Sequence, residues 1–467
     1  MESQVKYFSD PVCVEILGDC ERRYPFRDES ALFSGLVNFS TAGQEPYQRW
    51  VRYREGYSTR LVEELIRRAG TDRDRFYLAD PMMGSGTTLL AGARAGYDCL
   101  GTDVNPYCKI IADLKLARPS RQTLRETECL LDRLTAMKPE EGSLERAAAE
   151  IRKAQKARPG RKDGGSDAGI RPLAHYFPLE NLRWLLMAGD AIGQMEPSTA
   201  RDILRGAWLF SLESCSNRRK DGNGLSTRPS PVKDPAACYG AVVRMMLEDY
   251  SRSPVPEGHY TGLDSSAADF AAHARRFRQE NGKGLGLVIF SPPYANSFDY
   301  FESYKLELLF GGILSEEAFF QRKKELIRNY RICCRQELDS GLPLVEGLCR
   351  ELWQAIPRKE ARTGRRDSRT RLMPNMLRGY FTDMKGVLEQ LFQALDRDGI
   401  CYIVVDQSAY AGVIIPTDLV LAHLAEEAGF TVSGIIKCRQ AVTSVQQRTA
   451  FPYLKTALRE SIIELRR

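Results

Sequence analysis

Between an apolar run, Phe76–Ala79, and a helical run, Thr87–Ala95, the chain reads Asp80-Pro81-Met82-Met83-Gly84-Ser85-Gly86-Thr87-Thr88. The helical run stops at Gly96, where a helix C-cap belongs. A second short run, Asp98–Gly101, leads to Gly101-Thr102-Asp103-Val104-Asn105-Pro106. Strand, glycine-rich turn, helix and strand in this order make the first half of a nucleotide-binding α/β sheet.

The glycines have a physical role. Gly84 and Gly86 allow a sharp bend and the close approach of a ligand, because neither carries a Cβ. Asp103 follows the turn by about twenty residues, at the end of the second strand, where a carboxylate accepts hydrogen bonds from both hydroxyls of a ribose. No lysine follows the glycines, which argues against a P-loop. The dinucleotide fingerprint fits poorly, since Leu89 holds the place of the third glycine and an acid, Asp80, opens the turn. An acid there suits a cationic ligand such as S-adenosylmethionine, whose amino-acid end carries an ammonium. The plainer alternative is a glycine-rich turn in an ordinary α/β domain.

A chain of 467 residues holds two or three domains and at least one sizeable core. Its 43% hydrophobic and 27% charged content are those of a soluble globular protein. The net charge of +6 is compatible with a nucleic-acid partner without requiring one. The 12 cysteines include no CxxC pair, Cys333 and Cys334 are adjacent, and there are 4 histidines, so no metal site is expected. Reduced cysteines, no secretory signal in Met1–Asp19 and no long apolar run lead us to expect a cytoplasmic protein without a membrane partner.

Taken in order, residues 1–45 read as an irregular arm. Residues 46–118 form the cofactor half of the α/β domain. Ser58 is a helix N-cap before the stripe Leu61, Val62, Leu65 and Ile66. Residues 119–257 lose the α/β rhythm. They are polar and helical, contain a basic glycine-rich piece from Arg152 to Gly165, and then the loop Ser214–Gly224 with Arg218, Arg219 and Lys220. Cations among small polar residues suit phosphate contacts, and equally suit a solvated loop. In residues 258–310, Leu285–Phe290 is a continuous apolar run, as in a buried parallel strand, and ends in Ser291-Pro292-Pro293-Tyr294. Residues 311–375 form a second insertion with a basic end that includes Arg365 and Arg366. Residues 376–467 return to the α/β rhythm: a helix to Leu395, strand Ile400–Val405, helix Thr417–Glu427, and strands Thr431–Cys438 and Glu460–Leu465. The last two have no helix between them and should pair antiparallel.

A strand ending in Ser-Pro-Pro-Tyr, preceded by an Asp-Pro-x-x-Gly-Ser-Gly-Thr-Thr turn, resembles the S-adenosylmethionine-dependent amino-methyltransferases of bacterial DNA, which modify cytosine N4 or adenine N6. The resemblance covers residues 46–118 and 258–310, more weakly 376–467, and neither insertion. It implies a Rossmann-like seven-stranded methyltransferase sheet, mostly parallel with an antiparallel terminal hairpin, and largely helical insertions. It implies S-adenosylmethionine as cofactor, with Asp80, Pro81, Gly84, Ser85, Gly86 and Thr87 around the methionine end. Asp103 then meets the ribose, Asn105 and Pro106 flank the adenine, and Asp264 meets the adenine amino group. Ser291, Pro292, Pro293 and Tyr294 become the catalytic tetrapeptide. The partner implied is double-stranded DNA with the target base flipped out, alongside companion restriction or defence components. We expect residues 119–257 to read the target.

The chemistry accounts for these residue types. An exocyclic amine of a base is a poor nucleophile, because its lone pair is delocalised into the ring. The Ser291 hydroxyl and the Pro292 carbonyl are candidate acceptors for its N–H bonds, and the prolines stiffen the segment that carries them. Tyr294 offers a stacking face worth about 1–3 kcal/mol. Among Phe298, Tyr300, Phe301 and Tyr304, core packing is the expected role for most. Ser rather than Asp at position 291 favours cytosine N4 over adenine N6. The glycine turn precedes the tetrapeptide, the reverse of the order in many members with this serine. Cytosine C5 chemistry is disfavoured, since no Pro-Cys pair occurs. An RNA base methyltransferase and an inactive nucleic-acid-binding module are the alternatives.

Overall fold

A computed structural model describes residues 3–37, 43–53, 56–156, 172–221, 224–296, 298–328, 338–364, 366–441 and 445–467. In chain order its strands are β1 (Phe26–Asp28), β2 (Phe76–Asp80), β3 (Cys99–Asp103), β4 (Arg218–Asp221), β5 (Gly224–Thr227) and β6 (Tyr260–Asp264). There follow β7 (Gly284–Phe290), β8 (Ile400–Asp406), β9 (Ser408–Tyr410), β10 (Val413–Ile415), β11 (Thr431–Gln440) and β12 (Arg459–Arg466).

The run Leu285–Phe290 forms β7 because it can bury both of its faces. Leu287 and Ile289 point into one apolar cluster, and Val288 and Phe290 into another on the opposite side. Each such side chain contributes about 1.5–3 kcal/mol when fully removed from water, and a strand without a wet face can only be central. It lies inside an eight-stranded sheet of order β1-β11-β12-β8-β7-β2-β3-β6. All neighbours pair parallel except those of β12, which is antiparallel to both β11 and β8. This is the Rossmann-like methyltransferase arrangement, with the expected terminal hairpin in place. Its eighth strand is β1. The arm expected to be irregular carries a helix, Pro11–Arg23, capped by Asp10, and then adds β1 parallel to the edge of β11. So short a strand has no periodicity of its own to reveal it.

Helices cover both faces. Thr59–Ala69, Thr87–Arg94 and Pro106–Leu116 lie on one side, where Ser58 accepts from the Leu61 amide as an N-cap should. Pro11–Arg23, Phe270–Asn281, Met373–Ala394 and Thr417–Glu427 lie on the other. The first insertion supplies Arg121–Ala136, Ser143–Lys156, Leu179–Gly193, Thr199–Cys215 and Pro235–Arg252. These helices do not make a separate core. Leu131, Leu185, Leu204 and Tyr239 join the same cluster as Leu61, Leu89 and Ile111.

A polar clamp ties this insertion to residues 47–50. The Asp249 carboxylate accepts from the Tyr47 amide and from Trp50 Nε1, both at 2.8 Å, and pairs with Arg49. The rings of Tyr47, Trp50 and Tyr250 pack together at 4.7 to 5.7 Å between centroids. The Tyr250 hydroxyl then donates to the Leu114 carbonyl at 2.6 Å.

The second insertion holds a long helix, Pro343–Thr363, on the face of the Pro11–Arg23 helix. Its basic end is largely engaged within the protein: Lys359 pairs with Asp367, Arg371 with Glu360, and Arg362 donates to the Ala450 carbonyl. Arg366 is exposed, and Arg365 lies outside the described residues. No helix among the described residues is long and apolar enough to cross a membrane.

Candidate active site

From β2 the chain moves to β3 on one side and later returns to β7 on the other. The carboxyl ends of these strands therefore diverge and leave a crevice, the position at which open α/β sheets bind ligands. A cavity of about 400 Å³ occupies it, within the range of small-molecule sites.

Asp80, Gly84, Ser85, Thr87, Asp103 and Asn105 line this cavity from the glycine turn and the end of β3. Ser291, Pro292, Pro293 and Tyr294 line it from the end of β7. The two motifs, about two hundred residues apart in sequence, thus share one space. Pro81, Gly86 and Asp264 are not part of the wall. The Pro81 carbonyl accepts from Thr102 Oγ1 at 2.7 Å, which fastens the turn to β3. Asp264 stands beside Asp103 in the β3–β6 register, but its carboxylate is bound to Arg322 at 2.9 Å.

Both glycines adopt positive φ, +49° at Gly84 and +75° at Gly86. The space a Cβ would take is filled from within the protein. At Gly84 it would meet Tyr53 Oη at 2.9 Å, and at Gly86 the Cβ of Ala112 at 3.0 Å. Both glycines thus serve backbone conformation and internal packing, and Gly84 also lines the cavity.

Asp80 is buried. Its carboxylate accepts from the Met82 amide at 2.9 Å and from the Tyr57 hydroxyl at 3.4 Å. No cation pairs with it among the described residues, and burial pushes its pKa up to about 7. An acid held at this cost beside a cavity suits a cationic ligand. Asp103 accepts from the Gly84 amide at 2.9 Å and the Asn105 amide at 2.8 Å, yet burial still raises it to about 6. The Cys108 thiol is a further partner of this carboxylate. Asn105 caps the helix Pro106–Leu116 by accepting from the Tyr107 amide at 3.1 Å. Acid at the turn, acid at the ribose position and a cavity of the right size together fit S-adenosylmethionine.

The tetrapeptide is held from several sides. The Tyr294 carbonyl accepts from the Asn296 amide at 2.7 Å, and the Ala295 carbonyl from the Tyr410 hydroxyl of β9 at 2.6 Å. The Tyr294 hydroxyl donates to Glu460 Oε1 at 3.2 Å. Burial drives the phenol well above its ordinary pKa, so it remains a donor. Phe298, Tyr300 and Phe301 line the cavity, whereas Tyr304 is core and stacks on Tyr53 at 5.3 Å. Local reading missed Tyr53, Tyr57, Arg439 and Glu460. The two tyrosines precede the turn, and the last two come from the terminal hairpin with no motif around them.

The basic loop is a hairpin, β4–β5. Lys220 is not available to a phosphate. It is buried in an ion pair with Glu307 at 2.7 Å and lies over the Tyr304 ring at 4.2 Å. The Arg219 guanidinium donates to the carbonyls of Glu213, Ser216 and Arg218 at the end of the Thr199–Cys215 helix. Arg218 stacks on Tyr176 at 4.0 Å. Arg52, Arg219 and Arg228 nevertheless line a second cleft of about 350 Å³.

The sheet order and the cavity at the ends of β2 and β7 fit an α/β methyltransferase with S-adenosylmethionine as its methyl donor. No family model matches the chain. It is 27% identical to the type II methyltransferase M.AvaI of Nostoc sp., over 88% of this chain and 85% of that protein. It is 25% identical to the type II methyltransferase M.BsoBI of Geobacillus stearothermophilus, over 91% and 87% respectively. A shorter match, 35% identical, covers 18% of this chain and 16% of the type II methyltransferase M.MjaII of Methanocaldococcus jannaschii. The rRNA methyltransferase aviRa of Streptomyces viridochromogenes aligns with 87% of this chain and 84% of its own at 10% identity, with a TM-score of 0.27, too low to carry an argument. Over nearly its whole length the chain is thus similar to type II methyltransferases.

Proposed function

We propose that this protein methylates the exocyclic amine of a base flipped out of double-stranded DNA, with cytosine N4 as its target. The observation that carries the reading is the meeting of the Asp80 turn and Ser291–Tyr294 in one cavity. The near full-length likeness to type II methyltransferases supports DNA as the substrate. S-adenosylmethionine, when bound, supplies an electrophilic sulfonium methyl group.

The residues then divide the work. Asp80 faces the ammonium of the cofactor and Asp103 its ribose. Ser291 Oγ and the Pro292 carbonyl accept the two N–H bonds of the target amine, so that its lone pair leaves conjugation with the ring. Tyr294 stacks on the base, which recovers part of the few kcal/mol spent on unstacking it. No covalent enzyme intermediate is needed, and alignment of amine and methyl supplies most of the rate. Serine at position 291 supports cytosine, and adenine N6 is the second reading, since both bases present an amine in the same way. Residues 119–257 read the target sequence, and the cleft at Arg52, Arg219 and Arg228 receives backbone phosphates. Arg218 and the exposed Arg366 are further candidates for phosphate contact.

The test is transfer of labelled methyl from S-adenosylmethionine to duplex DNA and to RNA, followed by nucleoside analysis. N4-methylcytosine from DNA is expected. N6-methyladenine would overturn the choice of base, label in RNA alone would overturn the choice of nucleic acid, and no transfer to either would leave a binding module.

A further inference from the structure

The wall of the cavity opposite the glycine turn is built from a row of charged residues that runs across the terminal strands. In the β11–β12 register Arg439 faces Glu460, and in the β12–β8 register Glu460 faces Asp406. The three therefore sit side by side on one surface of the sheet, at the carboxyl end of β8. Arg439 and Glu460 line the same cavity as the tetrapeptide. The Glu460 side chain is 3% exposed. One of its oxygens takes Arg439 Nε, and the other takes the Tyr294 hydroxyl at 3.2 Å.

A buried ion pair costs more to desolvate than apolar residues of the same volume. The polar residues on either side of Glu460, Arg459 and Ser461, are both engaged by Asp418, and further along β12 Ile462 and Ile463 follow the apolar rule. The charge at 460 departs from it at the point where a strand meets the tyrosine. Tyr294 sits on a loop beyond β7, and its ring turns about two torsions. Loop backbone contacts fix its Cα, and the partners of the hydroxyl, Ser291 and Glu460, hold the plane of the ring. Glu460 is the acidic one; burial raises its pKa, and Arg439 on its other oxygen opposes that rise and holds it in place.

We infer that Glu460 is a positioning residue: it locks the plane of the Tyr294 ring against which the target base is held, with Arg439 as its support. The inference rests on the reading that Tyr294 faces that base. Nothing in the tetrapeptide calls for it, since a phenylalanine would stack equally well if stacking alone were required.

The experiment is a double-mutant cycle on single-turnover methyl transfer to a duplex, using Tyr294→Phe, Glu460→Gln and their combination, with S-adenosylmethionine affinity and thermal stability measured for each. Tyr294→Phe keeps the ring and loses the tether, so we expect a rate loss of about tenfold, the worth of one hydrogen bond to a charged group. Glu460→Gln retains an oxygen that accepts from the phenol and should lose less than Tyr294→Phe. The combined variant should be no slower than Tyr294→Phe alone. Cofactor affinity should stay within about twofold of wild type throughout, since Asp80 and Asp103 are unchanged. Multiplying losses in the combined variant, or a fully active Tyr294→Phe, would overturn the inference. These outcomes differ from failure of the functional reading, which is seen in the wild-type protein as absence of transfer to DNA.

Discussion

Exchanging Asp80 for asparagine probes the cofactor end of the cavity through its pH dependence. Burial places the Asp80 pKa at about 7 and that of Asp103 at about 6. If ligand binding requires both as carboxylates, affinity must rise with pH. At pH 6, about one molecule in eleven has Asp80 ionised, and at pH 7.4 about seven in ten. Asp103 goes from about half ionised to nearly complete over the same interval. The cofactor's own amine, with an ordinary pKa of about 7.7–8.0, loses roughly a quarter of its charge and offsets part of the gain. The product is binding about tenfold tighter at pH 7.4 than at pH 6. Titration calorimetry in two buffers of different ionisation heat measures this gain and the proton released on binding. In Asp80→Asn only the Asp103 contribution remains, and the gain should shrink to less than about twofold. The lost charge-assisted contact should also weaken binding at pH 7.4 by about tenfold or more. A wild-type affinity flat between pH 6 and 7.4, or a variant that keeps the full gradient, would refute the assignment of Asp80.

Three further outcomes are expected. Lys220→Ala leaves Glu307 buried without its counter-charge and should cost about 3–5 kcal/mol in urea unfolding, with recovery in Lys220→Met/Glu307→Leu; lowered DNA affinity at unchanged stability would restore the surface role. Asp406 is held near pKa 8 by burial and by the charge of Glu460. Its protonated form is favoured by folding, so its contribution is complete below about pH 4 and lost as pH rises through about 8. Wild-type unfolding midpoints should therefore fall across that window more steeply than those of Asp406→Asn. Replacing Arg52 and Arg228 with alanine should weaken DNA binding and reduce the slope of log affinity against log salt by up to about two, leaving cofactor affinity unchanged.

Much of the architecture can be read locally, because β2, β7 and β8 are long enough to show their apolar runs and the helix ends carry Ser58, Asn105 and Gly96. The two motifs were also readable, since turn and tetrapeptide each concentrate their chemistry within a few residues. What escaped depends on partners far along the chain. β1 is three residues long and exists by pairing with β11. Lys220 reads as a surface cation among its neighbours, and its partner Glu307 is 87 residues away. The second insertion is expected to be helical only in outline, and its helix Pro343–Thr363 runs on through Pro357. Glu460 lies 166 residues from Tyr294, and only the register of β12 against β8 brings it to the cavity.

The Asp249 clamp bears on attempts to give such a protein a new recognition sequence by exchanging whole segments. A graft of residues 121–252 from a donor without counterparts of Asp249 and Tyr250 would remove the anchor of Trp50 and the partner of the Leu114 carbonyl. If residues 119–257 read the target as proposed, such a recipient would lose the tie between that region and residues 47–50 before it gained a new sequence preference. Altered targets should therefore be sought by residue changes on the rim of this region, in chains that keep its inner face intact.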